Sequence, residues 1–176
     1  MKIKGLTFVF LAGLALSTAL LSGCWWYSFS GISISPSVKT IYIGYIDNKA
    51  PLVNPALSSV VTEQLKDKFL KLTKLSLVDE DEAWDLRMEG EITGYATQSI
   101  AVTAEEMASM QRLTITLKIS FENKGDPSQS FDNKQFSKFS DYPATKTLAE
   151  VESSLAQEIV EQLVEDIFKA AVASNW

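Results

Sequence analysis

Between Arg112 and Asn123 apolar and polar positions alternate without a break. Leu113, Ile115, Leu117, Ile119 and Phe121 fall on one side, and Arg112, Thr114, Thr116, Lys118, Ser120 and Glu122 on the other. A period of two with one apolar side predicts a strand buried on one face and wet on the other. From Leu86 the same period recurs, with Leu86, Met88, Gly90, Ile92 and Gly94 set against Arg87, Glu89, Glu91, Thr93 and Tyr95. The two glycines on its inward side predict a close backbone approach or a bulge. After Gly125-Asp126-Pro127-Ser128, a turn sequence, the stretch Phe131 to Tyr142 predicts the return strand of a hairpin. Phe131 and Phe136 differ in parity, so a bulge is expected between them. Earlier, Val38 to Ile46 is apolar on both sides (Ile41, Ile43 and Tyr45 against Tyr42 and Ile46), which predicts a strand covered on two faces. Tyr27 to Ser35 alternates loosely through Phe29, Ile32 and Ile34 until Pro36 and reads as an edge strand, and Leu75 to Val78 as a short one.

Two segments change the period to that of a helix. Asn54-Pro55 is a start signal, an N-cap residue followed by proline, and Leu57, Val61, Leu65, Phe69 and Leu72 then recur on one helical face. Thr147-Leu148-Ala149-Glu150 is a capping box, and Leu148, Val151, Leu155, Ile159, Leu163, Ile167 and Ala171 repeat by threes and fours after it. A helix of ~25 residues spans about 37 Å at ~1.5 Å per residue, enough to lie along the whole sheet. The sum is an α+β fold: an antiparallel sheet of about four strands with two amphipathic helices packed on one face. Ala101 to Met110 is expected as a loop or single helical turn.

The amino terminus follows different rules. Lys2 and Lys4 precede an uncharged, mostly apolar run from Gly5 to Leu20, which has the length of a signal-peptide core and is too short to span a bilayer. It ends at Leu21-Ser22-Gly23-Cys24, a bacterial lipobox holding the only thiol of the chain. Cleavage between Gly23 and Cys24 removes residues 1–23 and leaves 24–176 as a single domain. Cys24 is the lipidation site, since a thiol at the new terminus is nucleophilic enough to take a diacylglyceryl group. Several acyl chains, at roughly 0.8 kcal/mol per buried methylene, make a stable membrane anchor. Trp25, Trp26 and Tyr27 follow directly and suit the headgroup zone, or else begin the first strand.

Charge and composition narrow the chemistry. Without Lys2 and Lys4 the chain carries 14 basic and 22 acidic side chains, a net of −8, which argues against nucleic acid as a partner. One cysteine allows no internal disulfide. The absence of histidine removes the usual general base and the commonest metal ligand. Asp79-Glu80-Asp81-Glu82 resembles a metal trap but reads more simply as an exposed acidic turn. Glu89 and Glu91 share one face about 7 Å apart along the strand, a weak match to the ~5 to 5.5 Å of a retaining glycosidase. No cofactor, metal or catalysis is expected.

The stretches YSFSGISISP (27–36), APLVNP (50–55), EGEITGY (89–95), RLTITLKISFEN (112–123) and IVEQLVEDIF (159–168), with the closing Asn175-Trp176, resemble the LptE family of lipopolysaccharide-assembly lipoproteins. The resemblance implies two helices on a four-stranded sheet, a lipid anchor in the outer membrane facing the periplasm, and no enzymatic activity. It implies as partners lipopolysaccharide and an LptD-type outer-membrane β-barrel, in whose lumen the domain acts as plug and folding partner. Arg112, Lys118, Lys134 and Lys138 are candidates for lipopolysaccharide phosphate or barrel contact, because they fall on the two later strands and such cations pair well with phosphate. Ordinary solvated charge accounts for each of them as well. The alternative is another non-enzymatic envelope lipoprotein, a lipid-transporter accessory subunit or a secretin pilotin. No aspartate or acidic run follows Cys24, which leaves the periplasmic face of the outer membrane as the expected location.

Overall fold

A computed structural model describes residues 34–52, 54–100 and 109–172. The signal peptide with its lipobox, Cys24, nearly all of the expected strand at 27–35 and most of the loop at 101–110 lie outside the described residues.

In chain order the elements are β1 (Thr40–Ile43), β2 (Asp47–Asn48), α1 (Leu57–Leu72), β3 (Ser76–Leu77), β4 (Leu86–Ile100), β5 (Met110–Asn123), β6 (Phe131–Pro143) and α2 (Leu148–Val172). They form one six-stranded sheet in the order β3-β1-β4-β5-β6, with β2 beside β4. β4, β5 and β6 are antiparallel, as the hairpin pattern predicts. The sheet as a whole is mixed, which corrects the expectation of a purely antiparallel sheet of about four strands. β1 runs parallel to both β3 and β4, and β2 runs parallel to β4. The physical reason is the connection: α1 lies between β1 and β3, and a strand that returns through a helix comes back pointing the same way.

The expectation of a twice-covered strand at 38–46 also fails. Ile41, Ile43 and Ile46 are buried, but Tyr45 is 62% exposed and Tyr42 only partly covered. The strand ends at Ile43, so the chain does not keep one parity through Gly44. Asp85 closes its start by accepting the backbone N–H groups of Lys39 (2.7 Å) and Thr40 (3.0 Å) and the Thr40 hydroxyl (3.0 Å).

β4 holds its alternation to Ile92 and then slips. A bulge between Ile92 and Gly94 shifts the register, so Tyr95, which the sequence pattern sets on the wet side, turns into the core at 5% exposure. The close approach falls at Gly90: a Cβ there would sit 2.4 Å from the Lys118 carbonyl oxygen and 2.5 Å from Ile119 Cδ1. The bulge expected between Phe131 and Phe136 is present, where Asn133 takes φ 49° opposite the step from Ile119 to Phe121. Asparagine tolerates this left-handed backbone better than most residues.

Both helices start near their sequence signals. Before α1 the Asn54 side chain accepts the Ala56 N–H at 3.0 Å. Before α2 the Glu150 carboxylate accepts the Thr147 N–H at 2.6 Å and the Thr147 hydroxyl at 2.7 Å. Leu57, Val61, Leu65 and Phe69 of α1 and Leu155, Ile159, Leu163 and Ile167 of α2 join the inward row of β5 in one core. Phe69 and Phe168 meet edge to face at 5.1 Å where the helices touch.

Candidate functional site

Because both helices bury their apolar stripes in that core, the opposite face of the sheet is left to the polar halves of the strands. Tyr42 on β1, Arg87, Glu89 and Glu91 on β4, the polar row of β5, and Gln135, Ser137, Phe139 and Asp141 on β6 lie on it by register. Among the described residues nothing covers this face, and it is the natural place to look for a partner's footprint.

Its charges are largely spent on one another. Arg112 makes a two-pronged contact with Asp141 at 2.7 and 2.8 Å, with its guanidinium 3.6 Å from the centre of the Phe139 ring. The hydrogen bond from Arg112 holds the Asp141 carboxyl below the usual carboxylate range, and the same bond raises the arginine. Arg87 gives 2.6 Å to Glu89 and lies 5.3 and 5.6 Å from the rings of Tyr42 and Trp84. Ser120 donates to Asp132 at 2.6 Å, which lowers that carboxyl, and the Thr116 and Ser137 hydroxyls meet at 2.9 Å. At the end nearest the β5–β6 turn these groups border a depression of about 520 Å³, with Arg87, Glu89, Glu122 and Asp132 at its rim.

The structure divides the four cations singled out by sequence. Arg112 and Lys118 stand on the open face, Lys118 across from Glu91 and Gln135. Among the described residues Lys118 has no carboxylate within 4.0 Å, whereas the charge of Arg112 is already matched. Lys134 and Lys138 are opposite the inward residues Ile119 and Ile115, so they point to the helix side. There Lys138 binds Asp166 of α2 at 2.7 Å, and the Lys134 ammonium lies 5.2 and 5.6 Å from the Phe131 and Phe136 rings. Counting by twos from the buried Phe136 would have assigned both lysines to that side.

The other acidic features are tied up locally. Glu82 accepts the Asp79 N–H at 2.9 Å, closing the acidic turn on itself, and Glu80 lies 3.8 Å from Arg87. Among the described residues no three His, Cys, Asp or Glu side chains converge as a metal would require. Sequence reasoning missed a second cluster: Tyr95, Glu152 and Asn54 meet beside a hollow of about 490 Å³ between the starts of the two helices. Only a glycine after an otherwise regular strand hinted at the change of parity that brings Tyr95 there.

Comparison with known proteins agrees with this architecture. The family model described as LptE, Lipopolysaccharide-assembly, matches residues 38–171. No curated protein matches the sequence. Among solved structures, a hypothetical protein of Chlamydia trachomatis aligns at a TM-score of 0.51 with 6% identity, over 78% of this chain and 100% of its own. A putative neuraminyllactose-binding hemagglutinin homolog of Helicobacter pylori aligns at 0.50 with 12% identity, over 81% and 88%. A minor lipoprotein of Acinetobacter baumannii aligns at 0.43 with 17% identity, over 75% and 89%. At such identities the first two likenesses concern the fold alone.

Proposed function

Because the chain belongs to the LptE family of lipopolysaccharide-assembly lipoproteins, we propose that it is a non-enzymatic subunit of the machinery that places lipopolysaccharide in the outer leaflet. In this reading Cys24 carries the lipid anchor after cleavage behind Gly23, and residues 24–176 form one domain held at the periplasmic face of the outer membrane. The domain fits into the lumen of an LptD-type barrel as its plug and folding partner.

The observation that carries the reading is the uncovered sheet face. A barrel lumen is polar and water-filled, and a body placed inside it needs a surface that is hydrophilic without a large unmatched field. The face built by Arg112–Asp141, Thr116–Ser137 and Ser120–Asp132 has this character. Lys118 is the cation on that face best placed to meet a lipopolysaccharide phosphate, since the other three candidates are engaged by Asp141, by Asp166 or by aromatic rings.

Extraction in mild detergent followed by affinity purification of the full chain tests the assignment. Recovery of an LptD-type barrel is expected. Recovery instead of an inner-membrane lipid transporter or a secretin would assign the chain to that machinery and overturn the proposal. The anchor is tested by the mass of the mature amino terminus, where an unmodified Cys24 would remove it.

A further inference from the structure

Among the described residues a strand's outer edge is free at β2, at β3, at β6 and along the far half of β4, and these edges are not alike. β3, at one end, is only Ser76–Leu77, and β2 is only Asp47–Asn48. β6, at the other, carries Asp132, Lys134, Lys138 and Asp141, is kinked at Asn133 and stops at Pro143. Short length, inward-pointing charge, a bulge and proline are the devices that keep a sheet edge from recruiting another strand. The remaining edge is the far half of β4. β1 covers this strand as far as Met88, and β2 covers Glu91 and Ile92. Past Ile92, among the described residues, β4 pairs only with β5. From Ile92 to Ile100 the sequence ITGYATQSI contains no charged residue and no proline, and Ala96 to Ser99 are exposed. Beyond the bulge at Ile92–Gly94, none of the devices that guard β6 is present.

We infer that the Gly94–Ile100 edge of β4 is a strand-addition site, and that its occupant is an extended, uncharged segment of the barrel partner. The inference rests on the proposed function for the identity of that partner. Backbone N–H and C=O groups would supply the affinity, as they do wherever an extended peptide extends a sheet. Exposed Thr97 and Gln98 fall on opposite faces, where an incoming strand meets water on both sides, so a polar or small-residue segment fits and an apolar one does not. A second copy of this chain is the poorer occupant. The free edge is a strip about 20 Å long and one strand spacing, ~4.8 Å, across, far below the roughly 1,200 Å² that a stable interface buries. The chain's net charge of −6 also opposes self-association. A strand brought near by a larger contact, as a barrel enclosing the domain would provide, needs no such area at the edge itself.

The test uses the full-length lipoprotein in cells. A photo-activatable residue at Gln98 is expected to cross-link to the barrel, and Thr97→Lys with Ser99→Lys to lower recovered complex by about ten-fold, as for one or two lost net hydrogen bonds. The melting temperature of the purified double variant reports whether it folds, and the Gln98 cross-link does not depend on that variant. A Gln98 adduct between two copies of the chain overturns the inference. So does undiminished barrel recovery with no adduct, which leaves the proposed function standing. Failure of the unaltered chain to recover any barrel removes the proposed function, and this inference with it.

Discussion

Tyr95 donates its phenolic hydrogen to Glu152 across 2.5 Å, joining the strand just past its bulge to the first turns of the long helix. The same carboxylate oxygen accepts the Asn54 side-chain amide at 3.0 Å, so the loop before α1 is held at that point as well. Burial first, and then the bond to Glu152, hold the phenol well above its ordinary range. Tyr95→Phe keeps the ring and removes the bond, and should cost about 1–2 kcal/mol, a fall of ~3–6 °C in melting temperature. A raised phenol contributes stability in full below its unfolded value near pH ~10 and loses it as pH rises beyond that. Urea titrations at pH 7 and above 10 should therefore show a steeper alkaline loss in the unaltered chain than in Tyr95→Phe.

Gly90 permits β4 and β5 to close up. A methyl group there would meet the Lys118 carbonyl oxygen at 2.4 Å, and backbone cannot swing aside as a side chain can. Gly90→Ala should destabilise by roughly 2–3 kcal/mol through forced movement of β5. Gly94→Ala, whose nearest contact is 3.1 Å from the Thr116 side chain, should cost less. Paired thermal melts would compare them, and equal melting temperatures would contradict the close-approach account.

Asp85 organises the start of β1 through the Lys39 and Thr40 N–H groups, and these bonds draw its carboxyl below the usual range. A lowered carboxylate contributes stability above its unfolded value near pH ~4 and loses it as pH falls through the folded one. Asp85→Asn should lower stability by about 1–2 kcal/mol at pH 7, allowing for its partial exposure. The gap from the unaltered chain should close in acid, once pH falls through the lowered folded-state value. A gap that persists in acid would show that the carboxylate charge is not what matters.

Lys118 and Lys138 differ in face and in company, and their variants should differ accordingly. Lys138→Ala breaks a partly exposed bond to Asp166, worth at most ~1 kcal/mol of stability, and leaves lipopolysaccharide contact unchanged. Lys118→Ala should leave the melt unchanged and reduce lipopolysaccharide captured by cross-linking roughly three-fold, the scale of one exposed charge pair. The opposite pattern would place the lipid on the helix side.

How much of this could be read beforehand depends on what each pattern encodes. Arg112 to Asn123 was legible because burial of one face writes its alternation directly into the sequence, and the long helix was legible from its spacing and from Thr147 with Glu150. Strand direction has no such signature: nothing in Ile41 and Ile43 says that their neighbours run parallel. Tyr42 looked like a second buried face, yet it lies on the open side near the Arg87 guanidinium, since an aromatic ring is satisfied by a cation as well as by a core. Tyr95 was set on the wrong face by one extra residue at the bulge. Of the four cations chosen for phosphate contact, the choice by strand took no account of face, and only Arg112 and Lys118 reach the open one.

The central claim is that this chain serves the delivery of lipopolysaccharide to the outer surface. The most direct measurement is depletion of the chain from its native cell, followed by pulse-labelling and quantification of newly made lipopolysaccharide exposed on the outer leaflet. The account predicts that surface arrival falls while synthesis continues, and that the full chain restores it. Unchanged arrival in depleted cells would contradict it.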